Sequence, residues 1–304
     1  MNNEYQTTNA QQFQTASDGL LVRAPAKLNL SLLVVGKRPD GYHDIETIMA
    51  KINLFDEILI EAGQRTGVEL ICGGSFWAPT GEENLVYKAA KSLVESRGLK
   101  SNLRIKLTKN IPAGSGLGSA SSDAAATLVG INRFLKLGID AEHLKQAAAT
   151  LGSDVPFFLN GPLALCTGRG EKIKKIDNNY DFHAVLVLPD VSVSTKRVYA
   201  NYKHNQALYE KLHGRIMKYI EKNRIDLAAK MCVNMLTESC FDLVSELSEL
   251  KRKIESLAIQ PVCLTGSGSG MFCIAANEGK AQAYKAKITE KISCESVIVS
   301  NNRW

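Results

Sequence analysis

Lys27, Asp154 and the glycines at 114, 116 and 118 are the residues whose types and settings point to chemistry. Lys27 lies in Pro25-Ala26-Lys27-Leu28-Asn29-Leu30. An amine inside an apolar strand region needs a reason. Either its stem covers apolar surface with the ammonium in water, or it is a cation beside a phosphoryl group in transfer. Asp154 follows Gly152-Ser153. It either caps a helical turn or takes the proton of a hydroxyl. The two functional readings support each other, because an ammonium near Asp154 would hold the carboxylate ionised and favour a developing alkoxide. Phosphoryl transfer needs mainly positioning and charge neutralisation. A glycine loop, a lysine and an aspartate, with Mg2+ carried by ATP, would suffice.

The element that must position a phosphate runs over residues 111–126, Ile-Pro-Ala-Gly-Ser-Gly-Leu-Gly-Ser-Ala-Ser-Ser-Asp-Ala-Ala-Ala. Before it, Leu103, Ile105 and Leu107 alternate with Arg104 and Lys106, a strand pattern. After it, residues 120–137 are rich in Ala and Leu and read as a helix. Strand, glycine loop and helix make a phosphate seat, from backbone N–H groups free of Cβ atoms and the positive end of the helix dipole. Glycine spacing alone is equally compatible with a tight turn. No Lys follows the glycines as in a P-loop. Ser119 stands where a Rossmann turn has its third Gly, and no acidic residue ends a second strand roughly 20 residues on.

The 304 residues suit one large or two ordinary domains. Lys and Arg number 37 against 31 Asp and Glu, a net charge of +6. That excess suits an anionic ligand. It is spread along the chain rather than clustered, which disfavours nucleic acid. The seven cysteines form no Cys-x-x-Cys pair and are expected to be reduced thiols of a cytoplasmic protein. No apolar run is long enough to span a membrane. Residues 1–18 read as a polar, flexible tail without the features of a secretory signal.

Residues 19–35 read as two strands or one bent strand, with Lys27 and Asn29 at the bend. Residues 36–43 form a turn, and 45–52 and 57–61 are strands. Asn84 can cap a helix ending near Gly98. Residues 141–151 form a helix stopped by Gly152, and Pro156 opens a short helical turn. Two strands follow, at 163–167 and 172–176, around Gly168-Arg169-Gly170. A boundary falls near residue 178, separating a first unit, 19–178, from a second, 179–304. The second unit begins with a strand at 184–188 and continues with helices at 209–220 and 227–235. Ser239 and Asp242 form a capping box for a helix at 243–257. Strands at 262–265 and 271–275, a helix at 280–292 and a strand at 296–300 complete a ferredoxin-like α+β layout.

Taken whole, Pro112-x-Gly114-x-Gly116-Leu117-Gly118-Ser119-x-Ser121-Ser122 resembles the phosphate loop of the GHMP kinases, the family of galactose, homoserine, mevalonate and phosphomevalonate kinases. Residues 25–30, Pro39-Asp-Gly-Tyr-His43, Leu151-Gly-Ser-Asp-Val-Pro156 and Leu264-Thr-Gly-Ser-Gly268 extend the likeness over most of the chain. They resemble the branch of that family whose acceptor alcohol carries a cytidine diphosphate. The resemblance implies an α+β GHMP kinase fold with a ribosomal S5 domain 2-like first half and a ferredoxin-like second half. The active site would lie in the cleft between them.

It further implies Asp154 as catalytic base and Lys27 as its partner. ATP would bind at Pro112, Ala113, Gly114, Ser115, Gly116, Leu117, Gly118, Ser119, Ala120, Ser121 and Ser122, with Asn84 and Lys109 near the adenine. The cytidine substrate would meet Asn29, His43 at the cytosine edge, Tyr42 and Tyr199 on its faces, and Thr195. Gly266, Ser267 and Gly268 would abut the phosphate site. Ser121 and Ser122 could reach Mg2+ or phosphate, or merely cap the helix. Ser115, Ser119 and Ala120 replace glycines common in that branch, and Ser267-Gly268-Ser269-Gly270 varies its third motif. Two other readings stay open: a different small-molecule kinase of the family, of homoserine or mevalonate type, and a non-catalytic RNA-binding protein with an S5-like half.

Overall fold

Alternating and continuous apolar runs in the first sixty residues build two very long strands. The computed structural model describes residues 11–17, 19–98 and 102–304. β1 (Phe13–Ala16) pairs antiparallel with β2 (Gly19–Lys37), and β2 with β3 (His43–Ala62). β2 is one strand with register shifts between Pro25 and Lys27 and between Asn29 and Ser31, so Lys27 and Asn29 do sit at irregularities. β4 (Gly67–Gly74), β5 (Asn102–Lys109), β6 (Leu163–Gly168) and β7 (Lys172–Lys175) complete this half's own strands, with order β1-β2-β3-β5-β4 and β6 and β7 branching from β3. One face is covered by α1 (Leu85–Ser96), α2 (Ser119–Phe134) and α3 (Ala141–Leu151). The single turn α4 (Val155–Phe158) follows α3.

The second half is a four-stranded antiparallel sheet of β8 (His183–Leu188), β10 (Cys263–Leu264), β11 (Met271–Ala275) and β12 (Glu295–Ser300), ordered β10-β11-β8-β12. Between β8 and β10 come α5 (Thr195–Asn201), α6 (Gln206–Glu221), α7 (Ile225–Lys230), the two-residue β9 (Val233–Asn234), α8 (Thr237–Leu243) and α9 (Ser245–Ser256). α10 (Glu278–Lys291) joins β11 to β12. This is the expected ferredoxin-like order. Among the described residues no helix is long and apolar enough to cross a membrane.

Several expectations fail for identifiable reasons. Residues 45–52 and 57–61 are not separate strands, because β3 continues through Phe55 and Asp56. β4 went unanticipated. Part of the supposed tail is β1, while residues 1–10 and 18 lie outside the described residues. The helix expected over 227–235 ends at Lys230. Cys232 turns the chain at φ 51°, and Val233–Asn234 pairs parallel with Ser31 and Leu32 of β2. Asn234 Nδ2 also donates to the Leu264 and Gly266 carbonyls. The second half thus contributes a strand to the first half's sheet. The expected capping box does not form, because Ser239 and Asp242 lie inside α8 and the chain breaks at Val244 before α9. The cysteines are not all free thiols: β9 approaches β10, and Cys232 and Cys263 are joined as a disulfide with Cα atoms 5.2 Å apart.

The α2–sheet packing leaves no room for a side chain at Gly130. A Cβ there would lie 2.5 Å from Ile60 Cδ1 and 2.8 Å from Val22 Cγ2, both fully buried. Gly130→Val is therefore expected to cost roughly 1–3 kcal/mol of stability, read as a lower urea midpoint at unchanged slope.

Candidate active site

Residues 110–118 connect β5 to α2, and their carbonyls are held from behind. Gly114 O accepts from Ser269 N (3.3 Å) and Ser115 O from Gly270 N (3.1 Å). Gly116 O accepts from Lys27 Nζ (2.6 Å) and Leu117 O from Lys27 N (3.0 Å). The carbonyl of one residue and the N–H of the next point in opposite directions across a planar peptide. Four consecutive carbonyls anchored on one wall therefore turn the N–H groups of residues 115–118 the other way, toward the cleft. Gly114, Gly116 and Gly118 make this possible at φ 70°, 75° and 71°. Gly118 is also the N-cap of α2 and supplies no side-chain cap, so the first helical N–H groups join the same bowl. The capping role weighed for Ser121 and Ser122 is not taken.

The bowl lines a cavity of about 890 Å³ between the two halves. Its walls include Lys27, Asn29, Tyr42, His43, residues 112–121, Asp154, Thr195, Tyr199, Gly266 and Ser267. Segments distant in sequence thus meet around one cavity. Lys27 Nζ, almost wholly buried, donates to Asn29 Oδ1 as well as to Gly116 O. Burial pushes its pKa below the ordinary lysine value, and the charge of Asp154 pulls it back up. Asp154 precedes α4 but makes no capping hydrogen bond, which leaves its carboxylate to the cleft. The turn after β6 abuts it: a Cβ on Gly170 would be 3.3 Å from Asp154 Oδ1. Asn29 is fixed by Thr47, to whose Oγ1 its Nδ2 donates at 2.8 Å. Also on the cleft wall, the His43 and Tyr199 rings lie 5.2 Å apart, and the Arg169 guanidinium sits 5.0 Å over the Tyr42 ring. Burial lowers the pKa of His43, helped by the charges of Lys37 and His204. Burial raises that of Tyr199, with Asp154 adding to it. Thr195 Oγ1 and Ser267 Oγ are 2.8 Å apart across the cleft's second-half wall.

Four expected site residues are not on the cleft wall. Ser122 is buried under the helix start, and Gly268 packs against Cys240. Asn84 caps α1, accepting from Val86 N, and its amide donates to Pro79 O at 2.7 Å. Lys109 lies beneath the bowl, donating to Asp56, Ser119 and Asp123. Burial acts to lower its pKa, but the carboxylates of Asp123 and Asp56 outweigh it and keep the ammonium charged. Asp123 gives way instead: burial and the neighbouring charge of Asp56 raise its pKa well above the carboxylate range.

Asp56, wholly buried, was missed. It accepts from Asn110 N (2.6 Å), Ile111 N (2.9 Å), Ser119 Oγ (3.0 Å) and Lys109 Nζ. One carboxylate therefore ties both ends of the loop to β3. In sequence it follows Asn53-Leu54-Phe55 and precedes Glu57, so it does not stand out as a charge inside an apolar run. Lys37, Arg169 and Lys196 were also missed as cleft cations. In sequence Arg169 shows only as part of the turn Gly168-Arg169-Gly170.

A Cβ on Gly116 would collide with the Thr265 carbonyl oxygen, at a φ that L side chains rarely adopt. Gly116→Ala is expected to weaken binding of a non-hydrolysable ATP analogue by roughly tenfold or more, as measured by calorimetry.

The N-terminal domain model of the GHMP kinases matches residues 84–162, and the C-terminal one matches residues 216–294. The 4-diphosphocytidyl-2-C-methyl-D-erythritol kinase of Geobacter metallireducens is 37% identical over 270 residues, covering 89% of this chain and 94% of the relative. That of Bacillus subtilis is 38% identical over 263 residues, covering 86% and 90%. A crystal structure of 4-(cytidine 5'-diphospho)-2C-methyl-D-erythritol kinase superposes with TM-score 0.73 at 30% identity over 93% of this chain and all of that one. The homoserine kinase of Cytophaga hutchinsonii, at 21% identity and TM-score 0.74, shares the fold. The strand–glycine loop–helix, the cleft it faces and these likenesses over nearly the whole length agree, and the chain belongs to the GHMP kinases.

Proposed function

We propose that this protein transfers the γ-phosphate of ATP to the 2-hydroxyl of 4-diphosphocytidyl-2-C-methyl-D-erythritol, a step in cytoplasmic non-mevalonate isoprenoid precursor synthesis. The observation that carries the reading is that one cleft brings together two unlike sets of groups. One set is backbone N–H groups, Lys27 and Asp154; the other is His43, Tyr42 and Tyr199. The relatives that match over most of the chain bear the name of that activity.

In the reaction, the N–H groups of residues 115–118 and the start of α2 hold the phosphates of ATP. Asp154 takes the proton of the acceptor hydroxyl. The freed oxygen attacks the γ-phosphorus, the bond from that phosphorus to the bridging β-oxygen breaks, and ADP leaves. Lys27 neutralises charge on the attacking oxygen. Ser121, on the cleft wall, would hold Mg2+ brought by the nucleotide, an ion that would neutralise phosphate charge. Asn84 and Lys109 act on the nucleotide site indirectly, through α1 and through the loop ends tied to Asp56. Lys37, Arg169 and Lys196 give the cleft a positive field suited to two polyanionic ligands. Tyr42 and Tyr199 offer faces to the cytosine ring, and Asn29, Thr195, Gly266 and Ser267 line its path to the phosphate seat.

Asp154→Asn should fold normally and lose roughly 10²–10⁴-fold in kcat. A coupled ADP assay across homoserine, mevalonate and the cytidine-bearing alcohol should register turnover only with the last. Turnover of another alcohol at a comparable rate would move the protein to a different branch. A neutral imidazole keeps an acceptor for the cytosine amino group, and the protonated ring does not. His43 is lowered, so it is neutral at and above its ordinary pKa of about 6.5. KM for the acceptor should thus be flat above that pH and rise as pH falls below it, while KM for ATP follows no such trend.

A further inference from the structure

Lys27 has a buried counterpart. In the β2–β3 ladder its Cα partner is Lys51, so the two lysines project from the same face of adjacent strands. Lys51 is 2% exposed. No carboxylate pairs with it among the described residues. Its Nζ donates to Phe158 O at 3.0 Å and Asn160 O at 2.7 Å, the carbonyls that close α4. Its backbone N–H donates to Pro162 O at 2.8 Å, fastening the same segment a second time. α4 begins immediately after Asp154. Its last residue, Phe158, reaches the glycine loop: a Cβ on Gly118 would lie 3.0 Å from Phe158 Cζ and 3.1 Å from Lys27 Cγ. One turn of helix is thus wedged between the phosphate bowl and Lys51, with the acid at its other end.

We infer that Lys51 is a positioning residue that fixes Asp154 relative to the phosphate bowl by clamping the far end of α4. The inference rests on Asp154 acting as the proton acceptor in the proposed reaction. Lys27 holds the bowl by Gly116 O and Lys51 holds the base's helix, so the strand pair acts as a ruler between donor and base. Burial brings Lys51 down to about 7. An ammonium has three donors and a neutral amine two, so both forms can serve the two carbonyls. The clamp is therefore a matter of geometry rather than of charge.

The test is steady-state kinetics on Lys51→Met and Lys51→Arg beside the wild type. Methionine keeps the unbranched apolar stem, one atom shorter, but strands two buried carbonyls. A displaced base should lower kcat by roughly 10- to 100-fold with both KM values within about threefold, because substrate binding uses other residues. Arginine, which keeps the donors, should restore most of kcat. If the methionine variant does not fold, Lys51→Gln, which keeps an N–H donor pair at shorter reach, should show the same split at smaller amplitude. Wild-type kcat in Lys51→Met would overturn the inference. So would kcat loss with parallel KM changes that arginine fails to rescue, since that marks a packing role alone. Absence of wild-type turnover of the cytidine-bearing alcohol would instead remove the substrate reading. The Lys51 comparison would then be made on whichever alcohol the wild type phosphorylates.

Discussion

Four backbone carbonyls, from Gly114 to Leu117, must face away from the cleft if the opposite N–H groups are to face into it. Everything around the site enforces that one orientation. Ser269 and Gly270 from the second half take two of the carbonyls, and Lys27 takes the other two with its backbone and side chain. The anion seat is consequently not a property of the loop alone. It exists only where a strand of the first half and a turn of the second meet behind it.

This arrangement explains why Lys27 is buried at a strand irregularity. Its ammonium must reach a carbonyl below the bowl while remaining on the cleft wall beside Asp154. A regular strand passing the same point would repeat its side chains in strict alternation. Between the two register shifts, residues 27–29 keep regular pairing, so this same alternation puts Lys27 and Asn29 on one face, where they share a hydrogen bond.

Beneath the bowl lies a buried ionic cluster of Lys109, Asp56 and Asp123 with the Ser119 hydroxyl. Two carboxyls facing one ammonium cannot both ionise cheaply in a dry interior, and the raised pKa of Asp123 is the outcome. Asp56 accepts from four donors, which fills the capacity of a carboxylate. Removing one member would leave its partners buried and unpaired, so the cluster fixes geometry more surely than it adds stability. It brackets the loop at Lys109 and Ser119 and so sets the bowl's mouth.

The strand, glycine loop and helix, the cleft lysine and acid, and the ferredoxin-like second half were all legible in the chain. Each depends on local spacing: alternation, glycines at every second position, a charge stranded in an apolar run. The rule that singled out Lys27 also marks Lys51, but it could not say what Lys51 meets; Asp56, next to Glu57, escapes it. Lys109 drew attention for its place near the loop, and only packing showed it turned inward to two acids. Val233 and Asn234 look helical by composition and became a strand because β2 presented an open edge. The sequence by itself determined which backbone could form a bowl and which side chains could carry a proton and a charge. Tertiary structure decided which way the bowl faces and which buried charges find each other. Those outcomes depend on contacts between residues far apart in the chain, such as Gly116 and Thr265, 149 positions apart, and Asn29 and Thr265, 236 apart, and local propensity carries no record of such pairings.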